Sequence, residues 1–149
     1  EGKASAHYLA MASWCDTQGY KCAAKFLYNH AEEERGHMLR LFHYINDAGG
    51  HAIHPEITEM QHTFQSFRQI FEQILIHEVK VTKAIHHLVE HCFATKDFAT
   101  YNFLQWFVAE QAEEEVLARR AVELFDVIGE EGIGLYTIDK EIGALQESS

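Results

Sequence analysis

The sequence is poor in the residues that interrupt helices. It has one proline, Pro55, and nine glycines among 149 residues. Because both residue types break helices, their scarcity predicts long and uninterrupted helices. No apolar run approaches the roughly 18 residues that a membrane span needs, and nothing resembles a signal peptide. We therefore expect no membrane partner.

Cysteines and positive charges are also scarce. The three cysteines are odd in number and lack the Cys-x-x-Cys spacing, which argues against a disulfide framework, a zinc knuckle and a rubredoxin-type iron site. We expect a reducing, cytoplasmic setting. Twelve Lys and Arg against 23 Asp and Glu give a net charge of −11. This charge makes nucleic-acid binding improbable, since a basic patch must neutralise phosphates, and it favours a protein that attracts cations.

The apolar periodicity predicts one domain, residues 1–149, with five helices. Their approximate bounds are 1–17, 20–47, 64–93, 97–128 and 135–145. Two short turns would make two antiparallel hairpins, and the polar segment 46–63 is long enough to cross from one end of a bundle to the other. The predicted fold class is all-α: an antiparallel four-helix bundle with one long crossover and a short fifth C-terminal helix.

Each predicted long helix carries charged or polar residues in its apolar stripe. These residues are Glu1, Glu34, His37, Glu78, Gln111 and Glu114. An isolated buried carboxylate is costly, and several in one core repel each other unless a multivalent cation lies among them. The alternative is that the helices are rotated so that the glutamates are solvated, which would expose Phe71, Ile74 and Ile85 instead.

The spacing of these residues supports a metal site. Glu34 and His37 are three positions apart, so their side chains lie on one side of a helix. The midpoint between Glu1 and Glu34 falls in the first turn, and the midpoint between Glu78 and Glu114 falls in the turn near Lys96. Each hairpin therefore pairs two carboxylates at one height. The same Glu-x-x-His spacing at Glu59 and His62 in the crossover is interpreted as accidental.

Three segments carry a family resemblance: 30–42 (HAEEERGHMLRLF), 102–115 (NFLQWFVAEQAEEE) and 134–139 (GLYTID). In combination they are highly specific, and the chain resembles non-haem bacterial ferritins over essentially its whole length. The related bacterioferritins have a second Glu-x-x-His on the fourth helix. Gln111-x-x-Glu114 stands there instead, so no haem is expected. Relatives have about four more helical turns before the glutamate matched by Glu1, so we expect residues upstream of Glu1.

The resemblance implies a ligand set. It implies a first iron on Glu1, Glu34 and His37 and a second on Glu34, Glu78 and Glu114, with Glu34 bridging. Gln111 would be a hydrogen-bonding neighbour and Tyr8 a nearby phenol, which donates a further electron or is only a core tyrosine. A third iron would use Glu33, Glu110, Glu113 and Glu114, although a solvated acidic face explains the first three equally well.

The implied function is that of a ferroxidase in iron storage. Two Fe(II) ions would be oxidised to Fe(III) by dioxygen or hydrogen peroxide and stored as mineral in a homo-oligomeric shell of about 24 subunits, with the fifth helix lining pores. Such ligands would also accept Zn(II) or Co(II). Two alternatives remain open: a di-iron oxidase or peroxidase acting on another substrate, and a non-catalytic shell subunit that nucleates mineral.

The remaining histidines are mostly expected at the surface. His30 and His77 lie near the predicted core and could neighbour the metal site. The surface group comprises His43, His51, His54, His62, His86, His87 and His91.

Overall fold

The structure, a computed structural model, describes residues 1–145, so the last four residues of the predicted domain lie outside it. Residues 1–145 contain five α-helices and no strand. The helices are α1 (Gly2–Gln18), α2 (Lys21–Asp47), α3 (Phe67–Ala94), α4 (Phe98–Ile128) and α5 (Gly134–Ala144). No helix within the described part combines the length and the apolarity that crossing a bilayer requires.

The helices form two compact units. The first contains residues 1–65 and the chain from Gly132 onward, so it holds α1, α2 and α5; the second, residues 66–131, holds α3 and α4. Within the first unit α2 packs against both α1 and α5, and within the second α3 packs against α4. The single domain spanning residues 1–149 stays a prediction.

Local hydrogen bonds determine where the hairpins turn. At the end of α1, Gly19 has φ 92°, a left-handed conformation, and the N–H of Tyr20 donates to the carbonyl of Cys15. This pattern ends a helix and favours glycine. At the start of α3, the Ser66 hydroxyl accepts a hydrogen bond from the N–H of Gln69 at 3.1 Å. This cap explains why α3 begins at Phe67 rather than at the predicted residue 64, because a serine cap fixes the first helical turn.

Small side chains let α1 and α2 lie close together. Their buried faces include Ala4, Ala12, Cys15, Ala23, Ala24 and Ala31. The Ser5 hydroxyl donates to the carbonyl of Ala31 at 2.7 Å, which ties the first turn of α1 to α2. Ser5 is one helical turn after Glu1, and Ala31 is three residues before Glu34. The contact therefore fixes the register of the two helices where their acidic residues lie.

Asp139 on α5 caps the start of α2. Its carboxylate accepts hydrogen bonds from the N–H groups of Ala23 at 2.8 Å and Cys22 at 3.4 Å. The Tyr20 side chain at the N-cap position of α2 makes no capping hydrogen bond. A carboxylate at a helix N-terminus satisfies free N–H groups and interacts favourably with the helix dipole. A buried acid from another helix thus replaces the local cap.

Replacement of Asp139 by alanine tests this cap. We expect Asp139→Ala to lower the free energy of unfolding by about 2 kcal/mol, the usual range for hydrogen bonds to a charged group. Asp139→Asn retains one acceptor oxygen and should cost less. Urea denaturation followed by circular dichroism measures both. The exposed Glu141→Ala on the same helix is the control, and an equal loss in Glu141→Ala would rule out a specific cap.

Candidate metal centre

The first unit brings Glu1, Glu34 and His37 together. Glu34 and His37 lie on one face of α2 and are buried, and the Glu1 side chain, directly before α1, is 7% exposed. The His37 Nδ1 atom lies 3.5 Å from Glu34 Oε1 and 3.8 Å from Glu1 Oε2. One ligand atom from each residue falls within 4.8 Å of the other two. Because metal–ligand bonds are about 2.0–2.2 Å, one ion can reach all three with small side-chain adjustments.

The pKa values of Glu1 and His37 depend on the charges of their neighbours, even without a metal ion. Burial alone would lower the pKa of His37, but the nearby carboxylates of Glu1 and Glu34 raise it to about 10. Burial alone would raise the pKa of Glu1, but its interactions with His37 and Glu34 lower it to about 2. The carboxylate of Glu1 and the imidazole of His37 thus favour each other's charged form. A metal ion in the same place would meet the same negative charges.

The second unit buries Glu78, Gln111 and Glu114. These residues are 1%, 2% and 4% exposed, respectively. The Gln111 amide Nε2 donates to Glu78 Oε2 at 3.1 Å and lies 3.3 Å from both the Glu78 carbonyl and the Thr82 hydroxyl. Glu114 follows Gln111 by three positions, so both lie on one face of α4. The amide therefore holds the carboxylate of Glu78 in one orientation.

The donors fit iron chemistry. Carboxylate oxygens with a single imidazole suit Fe(II) and Fe(III), whereas thiolates would point to softer metals. The alternative of rotated helices is wrong, because Glu34, Glu78 and Glu114 are buried together with Phe71 and the other apolar residues of their stripes. Burial without a compensating cation would be costly for each of these carboxylates.

The other predicted site residues are distributed differently. Tyr8 is buried, with its ring centroid 5.5 Å from that of His30. His30 Nε2 lies 4.0 Å from a carboxylate oxygen of Glu33. Glu33 and Glu113 are exposed and Glu110 is half-buried. The third iron site stays a prediction.

Two residues that support the site are not among those that the sequence predicts. Ser5 fixes the register of α1, and Thr82 donates to the Glu78 carbonyl at 3.0 Å. Thr82 follows Glu78 by four positions, a spacing that could have indicated this contact. Ser5 offers no comparable signal, because its partner Ala31 is 26 residues away.

Comparison with known proteins gives consistent matches. A family model described as "Ferritin-like domain" matches residues 1–127. A probable bacterial non-heme ferritin-like protein of Haemophilus influenzae is 43% identical over 138 residues, which is 93% of this chain and 84% of that protein. A bacterial non-heme ferritin of Campylobacter jejuni is 43% identical over 135 residues, covering 91% of this chain and 81% of the relative.

The backbone is also similar to that of a solved ferritin structure. An open pore ferritin from the archaeon Archaeoglobus fulgidus matches with a TM-score of 0.91 and 40% identity, covering 95% of this chain and 87% of that chain. With five helices among residues 1–145, the match confirms the predicted fold class, a four-helix bundle with a short fifth helix.

The raised pKa of His37 predicts a pH-dependent role in the metal-free protein. A group whose pKa is higher in the folded protein than in the unfolded chain stabilises the folded state. For His37 this stabilisation is complete below pH 6.5 and is lost as the pH rises to about 10. We therefore expect His37→Ala, measured in chelator by urea denaturation, to destabilise most at pH 6 to 7 and progressively less toward pH 10. The exposed His43→Ala is the control. A cost that does not fall with pH would contradict the assignment.

Proposed function

Because the chain belongs to the ferritin-like domain family, whose non-haem bacterial members store iron and oxidise Fe(II), we propose that it is an iron-storage ferroxidase. The observation that carries this proposal is the buried group of Glu1, Glu34 and His37, whose ligand atoms lie within reach of one ion. The similarity to bacterial non-heme ferritins supports the same activity.

The proposed centre binds two iron ions as substrate. Glu1, Glu34 and His37 hold the first ion, and Glu34, Glu78 and Glu114 hold the second, so that Glu34 serves both. In the first unit His37 releases its proton on binding, since only neutral imidazole is a ligand. In the second unit, Gln111 keeps the Glu78 carboxylate in place through a 3.1 Å hydrogen bond.

The carboxylates favour oxidation for an electrostatic reason. A buried negative charge attracts Fe(III) more strongly than Fe(II), because the interaction grows with the charge of the ion and is stronger away from water. Each Fe(II) gives up one electron. The two electrons from a pair reduce one dioxygen, which takes up two protons to leave as hydrogen peroxide.

Two further roles belong to the same proposal. Tyr8, buried beside His30, would be the phenol next to the iron centre. Glu33, Glu110, Glu113 and Glu114 would bind a third iron, with exposed Glu33 and Glu113 offering a route from solvent. No haem takes part in this scheme.

The stored iron requires a container. We propose that the chain assembles in the cytoplasm into a homo-oligomeric shell of about 24 subunits with α5 lining pores, since its relatives and structural neighbours are ferritins. The several large apolar side chains on the surface, among them Leu9, Ile76, Val116 and Tyr136, are compatible with burial against other subunits.

Loss of a ligand should slow iron oxidation. We expect Glu34→Ala and His37→Ala each to lower the initial rate of Fe(II) oxidation by at least about tenfold, because removal of a group that supports a metal typically costs 10–100-fold. The rate is measured from Fe(III) absorbance in the near ultraviolet together with oxygen uptake.

The crossover supplies a matched control for that experiment. Glu59 and His62 have the same spacing but are exposed on an irregular segment. Glu59→Gln and His62→Ala should therefore oxidise iron at the wild-type rate. Unchanged oxidation in Glu34→Ala and His37→Ala would exclude the proposed centre, and iron-independent oxygen uptake would favour another substrate.

Assembly is tested separately by size. Size-exclusion chromatography with light scattering should give a particle of about 24 subunits, and negative-stain microscopy should show a hollow shell. A monomer or dimer would remove the storage function. The ferroxidase centre would still be testable by the oxidation rates.

A further inference from the structure

The surface of α3 carries a pair of histidines outside the proposed iron centre. His87 and His91 are the only two of the eleven histidines that are separated by four positions. Both are exposed, and both lie within the continuous helix Phe67–Ala94. Residues four apart on a helix are neighbours on its surface, with Cβ atoms about 5–6 Å apart. The two imidazoles can therefore turn toward one ion.

Glu90 is an acidic residue that borders this pair, about 60° from His87 around the helix. It follows His87 by three positions, so the segment 87–91 reads His-x-x-Glu-His. In one class of zinc enzymes this order places two histidine ligands on a helix. Here Glu90 is exposed like the histidines, so water is available to complete the coordination of a bound ion.

The position along the helix favours a cation. His91 lies in the last turn of α3, where the free carbonyl groups give the helix a negative end. Thr95 stabilises this turn, because its N–H and its hydroxyl each donate to the His91 carbonyl at 3.0 Å. Lys83, one turn before His87, is an opposing positive charge. The negative charge of Glu90 and the net charge of −11 attract a cation.

We propose that His87 and His91 form a surface site for a divalent transition metal that prefers nitrogen ligands, with Zn(II) and Cu(II) as the best fits. The proposed iron centre offers several carboxylates and one imidazole, whereas this pair offers two imidazoles. Affinity for such a donor pair rises from Fe(II) to Cu(II), and imidazole suits zinc and copper well. The site would therefore take up metals that compete with iron.

Titration of the whole protein with Zn(II) tests the proposal. After treatment with chelator, wild type, His87→Ala and His91→Ala are titrated calorimetrically. We expect either substitution to weaken one Zn(II) site per chain by at least about tenfold, the lower end of the usual cost when metal coordination is disturbed. Electron paramagnetic resonance of the wild type with one Cu(II) per chain should resolve two nitrogen ligands from this pair, and the signal should change in both variants.

His86→Ala is the matched control. His86 is equally exposed and adjacent in sequence, but it points about 100° away around the helix. It should bind Zn(II) like the wild type, and all three variants should oxidise Fe(II) at the wild-type rate. Wild-type Zn(II) binding in His87→Ala and His91→Ala would overturn the proposal. So would an equal loss in His86→Ala, which would indicate diffuse binding by surface histidines.

Discussion

The structure depends on the cost of burying carboxylates away from water. In the first unit the carboxylates of Glu1 and Glu34 lie within 4 Å of the His37 imidazole, and the pKa of that imidazole rises to about 10 as a result. In the second unit Glu78 is held by the amide of Gln111. A proton and an amide satisfy these groups only in part. A multivalent cation compensates the charge of buried carboxylates more completely. The proposed binding of iron would therefore also offset the cost of burying these carboxylates.

The rest of each unit keeps these side chains in place. Small residues and the Ser5–Ala31 hydrogen bond set the register of α1 against α2. Asp139 caps α2 from a distant part of the sequence, so the helix that carries two proposed ligands is fixed at its start as well. Precise placement matters because metal ligands must lie within a few tenths of an ångström of their required distances. Ser5 and Asp139 thus hold the helix backbones in place, and Gln111 contacts the proposed ligand Glu78 directly.

Much of this was predictable from the sequence because helical periodicity records which residues face inward. Glu34, Glu78 and Glu114 interrupt apolar stripes, and this spacing predicts the burial that the structure shows. The sequence predicts that α3 begins at residue 64, three residues before its observed start, because the Ser66 cap decides where the helix begins. The role of Asp139 left no local signal, since its partners are more than a hundred residues away. Residue patterns predict which face is buried, but hydrogen bonds between distant segments depend on the folded chain.

The most direct measurement of the central claim is anomalous X-ray scattering at the iron absorption edge, from crystals soaked anaerobically with Fe(II). The account predicts two strong iron peaks per chain: one within bonding distance of Glu1, Glu34 and His37, the other of Glu34, Glu78 and Glu114. Iron found only on exposed carboxylates, with no peak at Glu34, would contradict it.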